Sequence, residues 1–305
     1  MPSLCHSLRN PVRPRAALCA ILVTCASTVA CSAGEPERTG GVTFLPGASI
    51  FTPLAANPEE VRVGVRREFG STRMRLDIGS ALDLIGYEPA SDPGISLRIG
   101  AEMFVFALTT SYQGLHLQVD AVDGYFGGHI TLRKQHASST VYLRMRILHL
   151  SSHFIDGHFR LETETWIDGQ LPRPYSRDYG ELTAAYEPHG ESWGVLLYAG
   201  FQQAWFCRPA SMLRFNAFQG FVARTSGWTG PLFGKTTTLY LADHFLLTGV
   251  GTLSGSNVAE GGIKFGTWEQ SGIRVFVSYH SGVEMYHQYF DVKRNDLGIG
   301  FSLDL

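Results

Sequence analysis

From Val61 to its end, the chain alternates apolar and polar residues in one run after another. Val61, Val63 and Val65 alternate with Arg62, Gly64 and Arg66, and Met74, Leu76 and Ile78 alternate with Arg73, Arg75 and Asp77. Ile95, Leu97, Ile99, Ala101, Met103 and Val105 are separated by Ser96, Arg98, Gly100 and Glu102. Leu115–Val119 and Ile130–Leu132 repeat the pattern, as do Trp193–Gln203, Phe215–Arg224, Thr236–Ala242, Val258–Trp268 and Ile273–Tyr279. The last run, from Leu297, reaches Leu305. A period of two sends successive side chains to opposite faces of a strand. The glycine pairs Gly127-Gly128 and Gly261-Gly262 read as hairpin turns or kinks. His158 to Arg177 has no such period and reads as a long loop.

One face of these strands is apolar, while arginine, aspartate and glycine recur on the other. Strands of this kind, joined by short turns and some long loops, are the signature of a membrane barrel. Closure also removes the unpaired edges that a sheet would expose to lipid. The expected fold class is therefore all-β: an antiparallel transmembrane β-barrel with a polar interior. Twelve or thirteen runs are visible, and the preference for even numbers selects about twelve strands. A secreted soluble barrel or sandwich is the alternative.

The ends agree with export. Arg9, Arg13 and Arg15 precede an uncharged apolar run from Ala16 to Ala30, with small residues up to Ala33. That order is a signal peptide, expected over 1–33, followed by a lead-in segment over 34–58 and the barrel over 59–305. Cys31 offers an alternative lipoprotein cysteine. Four of the five cysteines fall in the leader (Cys5, Cys19, Cys25 and Cys31), so only Cys207 remains, and no internal disulfide is expected. Losing the leader arginines takes the net charge from −2 to about −5. Nucleic acid is thereby a poor partner. No glycine-rich motif precedes a helix, so nucleotide binding has no support.

One run carries chemistry. Val141, Leu143, Met145 and Ile147 share a face, and the same phase continues into His149 and Ser151. On a strand these two lie on one side, roughly 7 Å apart along the backbone. A serine becomes a nucleophile when a base takes its proton and a third group orients that base. Asp178, in phase with Leu182, Ala184 and Tyr186 of the next strand, is the candidate orienter, and Glu181 is the second choice. In the plainer reading the pair marks the membrane boundary. A β-bulge after Ile147 would instead turn both residues inward and leave Leu148 and Leu150 outside. His149, His153 and His158 also raise a zinc site. Along a strand, however, His149 and His153 are roughly 13 Å apart, too far for one metal.

Two resemblances sit on these residues. Phe44-Leu45-Pro46-Gly47, Pro53-Leu54-Ala55-Ala56-Asn57-Pro58, His149-Leu150-Ser151-Ser152-His153 with Asp156, and Tyr279-His280-Ser281-Gly282 with Gln288-Tyr289-Phe290 and Gly298-Ile299-Gly300 resemble an uncharacterised family of bacterial outer-membrane-type proteins. That resemblance implies an outer-membrane barrel and brings no activity. His149 and Ser151 also resemble the His-x-Ser-Asn run of outer-membrane phospholipase A and lipid A deacylase, with Ser152 in place of the asparagine. This second resemblance implies outward-facing ester hydrolysis of lipids. For the phospholipase it also implies calcium, toward which Asp156 offers one carboxylate where calcium takes about six or more ligands. Otherwise no cofactor is expected.

Arg62, Arg66, Arg73, Arg75, Arg98, Arg144 and Arg146 fall on the polar face. They either line an anion-selective lumen or pair with acids such as Asp77, Glu102 and Asp120 and fill it; in a narrow barrel filling is favoured. Tyr125, Phe126, Trp193, Trp205, Trp228 and Tyr279 are candidates for interfacial girdles. Three functions stay open: a structural or envelope barrel of the bacterial outer membrane, a lipid acyl-ester hydrolase using Ser151, His149 and Asp178, and a narrow anion channel. The expected partners are outer-membrane lipid and the barrel-assembly machinery, with homodimerisation left open.

Overall fold

The alternating runs pair into a closed sheet. In the computed structural model, residues 40–47, 49–112, 114–228 and 230–304 are described. The expected signal peptide with its four cysteines, residues 34–39 of the expected lead-in segment and Leu305 lie outside them. The barrel strands are β1 (Val63–Glu68), β2 (Met74–Glu88), β3 (Ile95–Tyr112), β4 (Leu115–Gln135), β5 (Ser139–Phe154) and β6 (Tyr175–Pro188). They continue with β7 (Trp193–Arg208), β8 (Phe215–Ser226), β9 (Thr237–Val250), β10 (Thr252–Phe265), β11 (Gly272–Val283) and β12 (Lys293–Asp304). Each pairs antiparallel with its neighbour in sequence, and β12 returns to β1 with Phe301 opposite Val65. The fold is thus the twelve-stranded antiparallel barrel that the alternation implies. Among the described residues no helix is long and apolar enough to cross a membrane.

Both glycine pairs lie inside strands rather than in turns. The runs Leu115–Val119 and Ile130–Leu132 are one strand, β4, of 21 residues. A Cβ on Gly127 would collide with the Ile147 carbonyl, and one on Gly262 with the Val275 carbonyl. These glycines let neighbouring backbones approach. The tight turn between β9 and β10 uses Gly251 instead, at φ +68°, a conformation that costs glycine little. The long connection 155–174 holds two single 3-10 turns and a two-residue hairpin, Phe159–Arg160 with Thr165–Trp166. Its expected last residues, Tyr175 to Arg177, already belong to β6.

The apolar phase faces out: Met103, Ile130, Leu143, Ile147, Leu241, Val277 and Phe301 are all exposed on the outer wall. The charged phase faces in and is paired. Arg146, fully buried, makes a bidentate bond to Glu181 at 2.9 and 2.7 Å. Arg66 pairs with Asp296, Arg75 with Asp77, and Arg274 with Asp304. Carboxylate–guanidinium pairs of this kind compensate each other's charge away from water.

The first wall strand is split in two. Gly41–Phe44 pairs with Ile85–Glu88 of β2, and β1 pairs with Met74–Asp77 farther along the same strand. Between these pieces the chain leaves the wall and crosses the lumen. Leu54, Ala55 and Ala56 are buried there. Arg62 donates to the Ala55 and Asn57 carbonyls at 2.8 and 3.0 Å, and Arg75 to the Pro58 carbonyl at 2.8 Å. Arg144 binds Glu60 and lies over the Phe51 ring. Gln202 donates to Glu59 at 2.8 Å. Segment 49–61 is therefore a plug, held by the arginines that an open anion pore would have left free.

Candidate functional site

No bulge interrupts β5, so the phase set by Val141 carries through to its end. His149, Ser151 and His153 face out, while Leu148, Leu150 and Ser152 face in and are buried. Antiparallel pairing with β6 places His149 opposite Asp178 and Ser151 opposite Ser176. Directly opposed residues bring their Cβ atoms within about 4.5–5.5 Å. His149 Nδ1 is 2.5 Å from Asp178 Oδ1, and each side chain is about a third exposed (32%). On the other side, the Phe126 ring of β4 lies 4.7 Å from the imidazole. Ser151 is flanked on β4 by Gly124, where even a Cβ would stand 3.8 Å from the serine oxygen. The serine hydroxyl is thus left uncovered.

The geometry fixes the imidazole's roles. With Nδ1–H given to the carboxylate, Nε2 is left free to accept a proton. No described hydrogen bond joins Nε2 to Ser151 Oγ. The two residues are two positions apart on the same face of β5. Catalytic contacts are often long in substrate-free sites and tighten around the reacting group.

The site's surroundings are apolar on two sides. At the level of this cluster, β4 presents Phe126 and Val122 outward, and β7 presents Trp205 and Phe206. The polar group lies at the end of the barrel bearing the 155–174 connection, bordered by apolar residues on β4 and β7 and by His153, Ser176 and Arg208 toward the strand ends. Arg208 lies in the next place along the same row, opposite Ser176 on β7. Charge on a lipid-facing wall is destabilising, and an ionisable pair kept there is a functional-site candidate.

Known proteins add little. No family model matches the chain, and no curated protein matches it. Among solved structures it is similar to the β domain of the Bordetella autotransporter BrkA, at 12% identity over 80% of this chain and 100% of that one, with a TM-score of 0.39. It is also similar to the trimer form of OmpT of Vibrio cholerae, at 11% identity over 87% and 99%, with a TM-score of 0.35.

Other sequence candidates separate from this cluster. Glu181 faces the lumen and is bound to Arg146. His158 is buried inside, where it binds Asp120 at 2.8 Å and stacks on Phe154 at 3.7 Å, so the three histidines do not converge. Asp156 is exposed at the start of a 3-10 turn whose other two residues are buried. Among the described residues no group of three or more His, Cys, Asp or Glu could hold a metal ion. Cys207 is free and buried. Tyr125 is not a girdle residue: it is buried and stacked on Phe104 at 4.5 Å. Ser176, Gly124 and Phe126 were missed. Each belongs to the site only through strand register, which one sequence does not display.

Proposed function

We propose that this chain is a lipid acyl-ester hydrolase of the bacterial outer membrane. The observation that carries the reading is the Asp178–His149 pair on the outer wall, with Ser151 on the same face and Phe126, Trp205 and Phe206 beside it. Ser151 Oγ attacks the ester carbonyl and His149 Nε2 takes its proton. Asp178 holds the imidazole and stabilises the charge that forms on it. Collapse of the tetrahedral intermediate expels the alcohol, which leaves with that proton, and the acyl group stays on Ser151. Water, activated by the same imidazole, then releases the fatty acid and restores the serine. Ser176, the cross-strand partner of Ser151, is the residue assigned to donate its hydroxyl to the developing oxyanion.

The paired lumen charges and the plug weigh against the anion channel. A purely structural barrel has no use for the lipid-facing pair. The test is fatty-acid release from phospholipid and from lipid A by the folded barrel in detergent, with and without calcium, beside Ser151→Ala and His149→Ala. Release abolished by both substitutions supports the hydrolase. Folded protein that releases nothing under either condition refutes it and returns the chain to the structural reading.

A further inference from the structure

The split first strand leaves an opening in the wall. Gly41–Phe44 and β1 cover the two ends of one β2 edge, and Leu45 donates to the Leu84 carbonyl. Between them, no described residue pairs with the edge from Gly79 to Asp83. A cavity of about 480 Å³ lies behind this gap. Its lining mixes the two faces of the wall: Ser80, Val63 and Leu303 belong to the outward phase, and Gly79, Ala81 and Lys264 to the inward one. The cavity therefore passes through the wall instead of ending at it.

Both sides of the opening are built. On one side, Lys264 Nζ donates to the Trp268 and Gln270 carbonyls at 2.8 and 2.7 Å and pairs with Asp304 at 2.7 Å. These bonds fasten the turn 266–271 to the end of β12. On the other side, β2 stays paired with β3 through Leu82 opposite Ala101. The outer lip is apolar, with Ile78 64% exposed and Met103 69% exposed. Deeper in, Val61, Phe51 and Pro53 give way to the Glu60–Arg144 and Glu102–His129 pairs.

We infer that this opening is a lateral portal through which a single-chain lipid amphiphile inserts its acyl chain from the membrane into the lumen cavity. The volume lies in the range of about 300–1,000 Å³ that ligand pockets occupy. The chemistry of the occupant follows from the edge. Backbone N–H and C=O groups facing hydrocarbon need a polar partner. A bare hydrocarbon offers none, whereas the ester, amide or hydroxyl groups of an amphiphile's head do. The head pairs with the part of the β2 edge that no described residue covers, while the chain passes Val63 and Leu303 at the wall and ends against Val61, Phe51 and Pro53 inside. This site is on a different part of the wall from Ser151 and holds whether or not Ser151 is a nucleophile.

The test is photolabelling of the full-length barrel in nanodiscs with a lysophospholipid carrying a diazirine in its acyl chain. Peptide mapping is expected to place the label on the segments containing Ser80–Ala81 and Val61–Val63. Unlabelled lysophospholipid competes there and hexadecane does not. Ala81→Trp is expected to cut this labelling severalfold while labelling elsewhere on the belt is unchanged. Ser80→Trp, on the outward phase, serves the same purpose if the first variant fails to fold. Label spread evenly around the barrel, or a folded blocking variant labelled like the parent, overturns the portal. So does a gap already covered by the chain's own residues before Gly40, seen as intramolecular crosslinks from that segment to Ser80.

Discussion

Replacing both His149 and Asp178 by leucine separates function from architecture, because the two readings of the site predict opposite signs. If the pair only holds β5 to β6, its loss costs stability. If it is kept for chemistry, the barrel carries a penalty that the double variant relieves. The size of that penalty follows from the structure. The two side chains are about a third exposed toward the membrane side. Their flanks are Phe126, Val122, Trp205 and Phe206. Near the end of such a wall, where this pair lies, a basic residue costs about 0–1 kcal/mol and an acid less. Exchanging an ion pair for apolar residues of similar size is often neutral or stabilising by about 1–4 kcal/mol. The 2.5 Å contact offsets part of the cost, so a change between zero and a gain of about 1 kcal/mol is expected. Urea-dependent folding into lipid vesicles, read by tryptophan fluorescence, measures it, and fatty-acid release is followed in parallel. Asp178→Asn, which keeps the shape but loses the charge, is expected to lower kcat by about 10³–10⁴-fold at little cost in stability. A double variant less stable than the parent would refute the argument, since the pair would then be a structural clasp.

Four further outcomes follow from the plug and the site. The His287 imidazole loses some basicity to burial, but Asp123 at 2.8 Å and Glu59 at 3.6 Å raise its pKa from 6.5 to about 9. Its stabilisation of the plug is therefore complete below about pH 6.5 and lost as pH rises through about 9. Burial alone would raise the Glu59 pKa, yet His287, Arg177 and Gln202 hold it at about 2, so its share is present above pH 4.5 and lost as pH falls through about 2. Thermal unfolding across pH is expected to peak between these limits, and a profile flat from pH 6 to 10 would contradict the His287 assignment. Glu60→Gln deprives buried Arg144 of its main carboxylate, but Glu181 remains 3.5 Å away. A loss near the lower end of about 3–5 kcal/mol is expected in the same folding assay, and a change below about 1 kcal/mol would mean that Glu181 takes over. Replacing residues 45–62 by a linker of about seven residues, enough to span the gap in extended form, is expected to turn a closed barrel into a conducting one in planar bilayers. Unchanged conductance would show that the paired arginines alone close the lumen. Ser176→Ala is expected to lower kcat by about 10²-fold with KM little changed, as for loss of one oxyanion donor, and an effect on KM alone would make Ser176 a binding residue.

The parts of this molecule legible in its sequence are those governed by a local period. Alternation gave the wall, the inward arginines and the outward phase of His149 and Ser151, because side-chain direction on a strand depends only on counting by two. Asp178 was reachable for the same reason: Leu182, Ala184 and Tyr186 point out, and an even offset from them points out as well. What stayed hidden depends on register between strands. Ser176 faces Ser151, and Gly124 uncovers it, only because β4, β5 and β6 are aligned as they are. The glycine pairs misled because glycine serves close strand approach as readily as turns, and only the neighbouring carbonyls decide which.

The hardest feature to foresee was the split first strand, although its cause is written in the chain. Val61, Val63 and Val65 alternate correctly, but Val61 is buried at the lumen side, because Arg62 is drawn to carbonyls at Ala55 and Asn57 rather than to the wall. Continuing β1 two residues earlier would remove those bonds and free the arginines that hold Glu59 and Glu60. The chain thus closes its lumen by giving up part of one wall strand, and one structural event produces both the plug and the opening beside Gly79. A barrel designed only to be stable would keep that strand whole. Among the described residues the edge from Gly79 to Asp83 has no partner and stands beside a cavity of ligand size, so the break in wall pairing supports the proposed access to the lumen from the side.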